Sequence, residues 1–370
     1  MNCQLKNQLL SKLKTLPFCH IQSIFNQNSL RQFRTKPNHS YPGTGGNGEK
    51  DLGGNLYLDK SRGQHLLTNP RVLDTIVRKS SIISTDTVLE IGPGTGNLTL
   101  RLLEVAKKVF AVEVDKRMVE ILHKRVSELG FKDKLEIICE DALKAQFPQF
   151  DLVVANIPYG ISSPLVTKLV YGANPFRSLT LLLQKEFARR LLANPGDSEY
   201  NRLAVNVKLV AEVEFVMDVS KRDFLPCPKV DSSVVIIRPK AQIPHVNLDE
   251  WRAFTRTCFT NKNKTLAAMF KQKKKIIELF RLSKMKDSPN KYGVTNSNCE
   301  FVDDDEGEES DKEGFDPCSD SEMELSSYKK KIIEVLKAHG FEAKRPSKLS
   351  NEELLNLLAL LNRAGVYFHG

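Results

Sequence analysis

Asn156-Ile157-Pro158-Tyr159 concentrates the most chemistry into the fewest residues of this sequence. It follows Leu152-Val153-Val154-Ala155, an apolar run that reads as a buried strand. An amide at a strand end accepts hydrogen bonds from an amine, a proline fixes the turn, and an aromatic ring offers a stacking face. Together they suit holding a flat, amine-bearing ring for methyl transfer to its exocyclic nitrogen. The same four residues are also ordinary loop chemistry. The reading therefore depends on whether the chain supplies a methyl donor beside them.

A second run, Val88-Leu89-Glu90-Ile91-Gly92-Pro93-Gly94-Thr95-Gly96-Asn97, reads as a strand entering a glycine turn before a helix. Glycines there let backbone approach a ligand closely. A dinucleotide fold asks for G-x-G-x-x-G. Here the spacing is G-x-G-x-G, and Asn97 stands where the third glycine would be. Glu90, two residues before the turn, suits a cofactor with a cationic amino-acid tail better than one with a pyrophosphate. S-adenosylmethionine has such a tail and no phosphate. Glu113 follows Gly92 by 21 residues at the next strand end, where an acid accepts from ribose hydroxyls. Asp141 follows the third strand, placed for an adenine amine. One such acid could simply cap a helix; three at successive strand ends favour a cofactor site, with Gly92 and Gly94 as its backbone cradle.

The elements needed to position these groups are legible. Strands are expected at Val88–Ile91, Val109–Val114, Leu135–Cys139, Leu152–Asn156, Leu179–Leu183, Val213–Val219 and Val234–Arg238. Helix-like stretches lie near 97–106, 117–129 and 164–171. Alternating strands and helices imply a mostly parallel sheet with covered faces. The last two strands have no long helix between them, so an antiparallel hairpin should close the sheet edge. The fold class is α/β, a Rossmann-like sheet followed by a small helical domain. After Pro239 the pattern turns helical and basic, densest at Lys271, Lys273, Lys274 and Lys275. Ser350 and Glu353 form a capping box ahead of the stripe Leu354, Leu357, Leu358, Leu361, and Gly365 suits a helix C-terminus.

Charge and composition bound the rest. The net charge is +10, yet residues 300–324 hold thirteen acids and one lysine, leaving +22 on the remainder. That balance favours a polyanion partner. The acidic stretch reads as a disordered insertion at about 287–326. Residues 1–48 contain no Asp or Glu and carry Lys6, Lys12, Lys14, Arg31, Arg34 and Lys36 beside a leucine stripe. This resembles a mitochondrial transit peptide; a basic arm on nucleic acid is the alternative. The expected domains are 1–59 (transit peptide and linker), 60–240 (methyltransferase) and 241–370 (helical, RNA-binding). Seven scattered cysteines without a C-x-x-C pair point to neither disulfides nor zinc. No metal is expected, and no apolar stretch reaches membrane-spanning length.

In order along the chain, Gly63-Gln64-His65-Leu66-Leu67, the glycine turn, Glu113, Asp141, Asn156-Ile157-Pro158-Tyr159, Phe224-Leu225-Pro226-Cys227-Pro228-Lys229-Val230-Asp231-Ser232-Ser233 and Phe259-Thr260-Asn261-Lys262-Asn263-Lys264-Thr265-Leu266 resemble the ribosomal RNA adenine N6,N6-dimethyltransferase family. The resemblance covers about residues 60–285 and, more weakly, the final helices. It implies dimethylation of two adjacent adenosines near the 3′ end of small-subunit rRNA with S-adenosylmethionine, by a monomer. Matching motif positions would place His65, Leu67, Gly92, Glu113, Asp141 and Asn156 on the cofactor. They would place Asn156, Pro158, Tyr159 and Phe224 on the adenine, with Tyr159 and Phe224 stacking on the base. Cys227 replaces a usual proline, and Asn261 stands where an arginine is frequent. Rival readings are a mitochondrial B-type transcription factor on the same scaffold and a large-subunit erythromycin-resistance methylase. A mitochondrial location is expected, with the nucleolus as the alternative.

Overall fold

The computed structural model describes residues 64–286 and 319–368, and all of these belong to one compact unit that begins at Lys60. The basic N-terminal arm and the acidic stretch through residue 318 lie outside the described residues. Seven strands form one sheet in the order β4-β3-β2-β5-β6-β9-β7: β2 (Thr87–Ile91), β3 (Lys108–Val112), β4 (Leu135–Ile138), β5 (Leu152–Asn156), β6 (Ser178–Gln184), β7 (Ala211–Val219) and β9 (Ser232–Pro239). The first five are parallel, and β9 runs antiparallel to both β6 and β7. All strand segments expected from the sequence are present, and β7 with β9 forms the edge hairpin.

The chain starts the sheet in the middle. From β2 it builds outward through β3 and β4, then returns to the other side of β2 with β5, registering Val88 against both Val109 and Leu152. The loops after β2 and β5 therefore diverge at one place, the switch point where open α/β sheets bind ligands. Both chemistry-bearing turns of the sequence emerge there.

Helices cover both faces. On one side α1 (Pro70–Lys79), α2 (Asn97–Val105) and α3 (Lys116–Glu128) pack Ile76, Leu102 and Leu122 onto Val88, Val109 and Val154. On the other lie α4 (Ser162–Tyr171), α5 (Lys185–Leu192) and α6 (Arg202–Val210). The helices α5 and α6 were not anticipated. In α6 the residues Leu203, Val205, Val207 and Leu209 alternate as in a strand. Burial on two sides, against the sheet and the C-terminal helices, overrides that period.

After the sheet come the C-terminal helices α7 (Leu248–Phe259), α8 (Leu266–Phe270), α9 (Lys273–Lys286), α10 (Ser319–Ala338) and α11 (Asn351–Arg363). Trp251, Phe254 and Leu358 join the same apolar cluster as Leu89 and Ile91. The helical region shares a core with the sheet instead of owning one, because α6 presents apolar residues to both. The expected insertion boundary near 326 also moves: α10 begins at Ser319, with Glu322 and Glu324 in its first two turns, where carboxylates favour a helix start. At the other end the Ser350–Glu353 capping box forms in both directions, and Gly365 has φ 74° just beyond α11.

Candidate active site

The glycine turn is built for close approach. Gly92, Gly94 and Gly96 all have positive φ, at 67°, 55° and 88°. A Cβ on Gly92 would stand 3.3 Å from Pro158 Cδ, so the turn rests directly against the Asn156–Tyr159 segment. A Cβ on Gly94 would meet Leu66 Cδ2 at 2.8 Å. The structure thus brings three separate sequence motifs to one place.

Two acids sit beneath this turn. Glu90, the penultimate residue of β2, is 1% exposed, and its Oε2 has no hydrogen-bond partner. Burial pushes its pKa up to about 8, the Thr99 hydroxyl opposes that rise, and the Glu113 charge adds to it. Glu113 directly follows β3 and is also buried. Its Oε2 accepts from Gly94 N (3.1 Å) and its Oε1 from Asp115 N (2.9 Å). Burial raises its pKa too, against those backbone bonds. The strand was expected to run to Val114; it ends at Val112, which leaves Val114 62% exposed beside Glu113. Asp141 is three residues beyond β4, and its Oδ1 accepts from Leu143 N (2.9 Å).

His65 ties the mouth together. Its carbonyl accepts from Asn156 Nδ2 (3.2 Å), which commits the donor end of that amide and leaves Oδ1 as its acceptor. Its Nδ1 lies 2.8 Å from the Pro226 carbonyl. A carbonyl only accepts, so Nδ1 carries the proton. Its ring stacks on Tyr159, centroids 6.0 Å apart at 28°. Tyr159 Oη is 2.8 Å from Ser232 Oγ, and burial raises its pKa. The neighbours of His65 extend the strap. Gln64 Nε2 donates to Asp115 Oδ2 (2.8 Å), and the Leu67 carbonyl accepts from Asn97 Nδ2 (2.9 Å). Leu66–Leu67 (β1) pairs antiparallel with Phe224–Leu225 (β8).

Phe224 is packed into the core. Its register opposite Leu67 places the ring in the cluster with Leu73, Val219 and Val234, and only 4% of the residue is exposed. It backs the mouth from within that cluster. The sequence reading also missed Arg125. From α3 its Nη1 donates to the Thr95 carbonyl and to Asn97 Oδ1 (3.1 Å), pinning the glycine turn. Nothing in the sequence pairs residue 125 with residue 95; the contact depends on α3 packing beside α2.

The donor set tests the cofactor. Two buried carboxylates face a turn of left-handed glycines, and one carboxylate oxygen lacks a partner. A pyrophosphate would meet repulsion there, whereas an aminium group would satisfy Glu90. Such a site at the switch point of this sheet defines a class I S-adenosylmethionine-dependent methyltransferase.

The model of the family described as ribosomal RNA adenine dimethylase matches residues 56–288. The chain is 58% identical to a ribosomal RNA small subunit methyltransferase, mitochondrial, from Arabidopsis thaliana, over 100% of this chain and 97% of the relative. It is 43% identical to a probable dimethyladenosine transferase of Caenorhabditis elegans, over 85% and 92% of the two chains. A crystal structure of a dimethyladenosine transferase from Plasmodium falciparum superposes with a TM-score of 0.68 at 40% identity, covering 82% of this chain and 99% of the other. The chain belongs to the ribosomal RNA adenine dimethylase family. It is an rRNA adenine dimethyltransferase that uses S-adenosylmethionine. Among the described residues, no helix is long and apolar enough to cross a membrane.

Proposed function

We propose that the chain dimethylates N6 of two adjacent adenosines near the 3′ end of small-subunit rRNA, acting as a monomer in mitochondria. The observation that carries the site assignment is the fixed amide of Asn156. With Nδ2 committed to the His65 carbonyl, Oδ1 is the acceptor that remains to the amide, and the Asn156 backbone lies against Gly92. Support for the compartment comes from the acid-free N-terminus and the name of the Arabidopsis relative.

When bound, S-adenosylmethionine supplies an electrophilic methyl group. Gly92, Gly94, Glu113, Asp141, His65 and Leu67 hold it in this reading, with Glu90 facing its amino group. The adenine N6 lone pair is delocalised into the ring and must become more tetrahedral to react. Asn156 Oδ1 and the Ile157 carbonyl accept the N6 hydrogens and favour that geometry. Their bonds strengthen as positive charge develops on N6, so they stabilise the transition state more than the ground state. Pro158 sets the approach by its contact with Gly92. Tyr159, already backed by His65 on one face, offers the other to the extruded base, a contact worth roughly 1–3 kcal/mol. The proton leaves to solvent after transfer, so no strong base is needed. Helices from α7 onward grip the RNA backbone.

Asn156→Ala in the full chain should remove dimethyladenosine from a small-subunit rRNA 3′ fragment, read by mass spectrometry, with an unchanged circular dichroism spectrum. Normal methylation by that variant would sink the assignment. Mass spectrometry of small-subunit rRNA from each compartment after loss of the protein decides the location. Loss confined to cytosolic rRNA would favour the nucleolus.

A further inference from the structure

A pocket outside the methyl-transfer site opens between α4, α6 and α7. It is lined by Arg202 from α6, Arg252 and Arg256 from α7, Tyr171, Asn206 and Ser163 among others, and no carboxylate lines it. Three arginines on one concavity supply donors of the kind that recognise phosphate oxygens. The site is also shaped. The Arg252 guanidinium lies 4.3 Å from the Tyr171 ring centroid, which fixes its plane. Tyr171 is anchored in turn, its hydroxyl donating to the Asn206 carbonyl (2.6 Å), and Asn206 Oδ1 accepts from Thr255 Oγ1 (3.0 Å). Asp249 pairs with Arg252 at 3.4 Å and neutralises part of the charge from outside the pocket, while Arg256 is exposed.

We infer that this pocket binds a backbone phosphate of the RNA strand whose adenine enters the active site. Arginine suits the task because its planar donors match phosphate oxygens in pairs. Position supports it as well. The helix α4, which forms one wall, begins three residues after Tyr159 and spans ten residues, about 15 Å. A strand with a base at Tyr159 passes the pocket within a few nucleotides. The phosphate contact positions the strand and reads no sequence. This inference rests on the proposed rRNA substrate.

The test uses the full chain, a labelled small-subunit rRNA fragment, and Arg256→Gln and Arg202→Gln. Each variant should bind the fragment about fivefold more weakly, with the slope of log affinity against log salt reduced by about 0.7. S-adenosylmethionine affinity should not change. Arg256→Lys should recover the slope. If Arg202→Gln shows a lowered melting temperature, Arg256→Gln, at an exposed position, carries the test. Unchanged RNA affinity and slope in Arg256→Gln overturn the inference. Inorganic phosphate is titrated separately against the fluorescence of Trp251, the single tryptophan, which precedes Arg252. An arginine-dependent phosphate response with unchanged RNA binding assigns the pocket to a free phosphate and also overturns it. Failure of the wild-type chain to bind the fragment at all overturns the rRNA reading itself, and is distinguishable from failure of the pocket alone.

Discussion

The carboxylates under the glycine turn and the cations on the helical face are both concentrated charge, held in opposite ways. Glu90 and Glu113 are 1% and 8% exposed; burial raises the cost of ionising both, and the Glu113 charge adds to it at Glu90. Lys271, Lys273 and Lys274 are exposed, and Lys275 pairs with Glu278 at 2.7 Å. Buried like charges are strongly coupled and demand one specific partner. Exposed charges are screened, nearly additive and tolerant of any polyanion. In the proposed function the first region selects the cofactor and the second supplies affinity for nucleic acid.

Breaking the buried region should have the largest effect. Glu113→Ala removes the proposed ribose acceptor and strands the Gly94 and Asp115 amides, each costing about 1–3 kcal/mol if left unsatisfied. S-adenosylmethionine affinity should fall by about 100-fold or more, with a lowered melting temperature; calorimetric titration and thermal unfolding check both. An affinity within threefold of wild type would mean that Glu113 is merely a turn brace.

Next comes pH. The folded-state pKa of Glu90 is raised from 4.5 to about 8, so across that window the unfolded chain is ionised while the folded chain keeps its proton. Folding then takes up a proton, and stability should fall as pH rises, by about 1.4 kcal/mol per pH unit from this group. The loss should level off above pH 8. Glu90→Gln removes that contribution; urea unfolding of the cofactor-free protein from pH 5 to 8.5 compares the two slopes. Identical slopes would show Glu90 ionised in the folded state.

Arg125→Met tests whether the turn needs outside support. It should raise the KM for S-adenosylmethionine about tenfold, from a missing charge-assisted bond and a freed Thr95 carbonyl, with kcat changed little. A matching fall in kcat alone would point to RNA placement instead. The smallest effect is expected from Lys273→Gln with Lys274→Gln. RNA affinity should drop a few-fold, lowering the salt slope by about 0.7 for each phosphate no longer neutralised. An undiminished slope in a filter-binding series would remove α9 from the interface.

Much of the site could be read without coordinates because strand-end chemistry is local. Gly92, Glu113, Asp141 and Asn156 each sit at or just beyond the end of an apolar strand, and a parallel sheet sends all such ends to one edge. His65 was legible only as a motif position. That it joins Asn156, Tyr159 and Pro226 depends on pairings that span 91, 94 and 161 residues. Phe224 shows the opposite case. Its motif implies a stacking wall, and only the fold shows that it pairs with Leu67 and packs in an apolar cluster.

The sequence alone determined the succession of strands, the acids at their ends, the Asn156–Tyr159 turn and the Ser350 cap, since each follows from hydrophobic period or from groups within a few residues. Tertiary structure decided the rest. It folded α6 as a helix against its alternating pattern, merged the helical tail into the sheet's core, set Arg125 on the glycine turn and gathered Arg202, Arg252 and Arg256 into one pocket. Those outcomes depend on which surfaces are buried against each other, and burial is a property of the packed chain, not of any window along it.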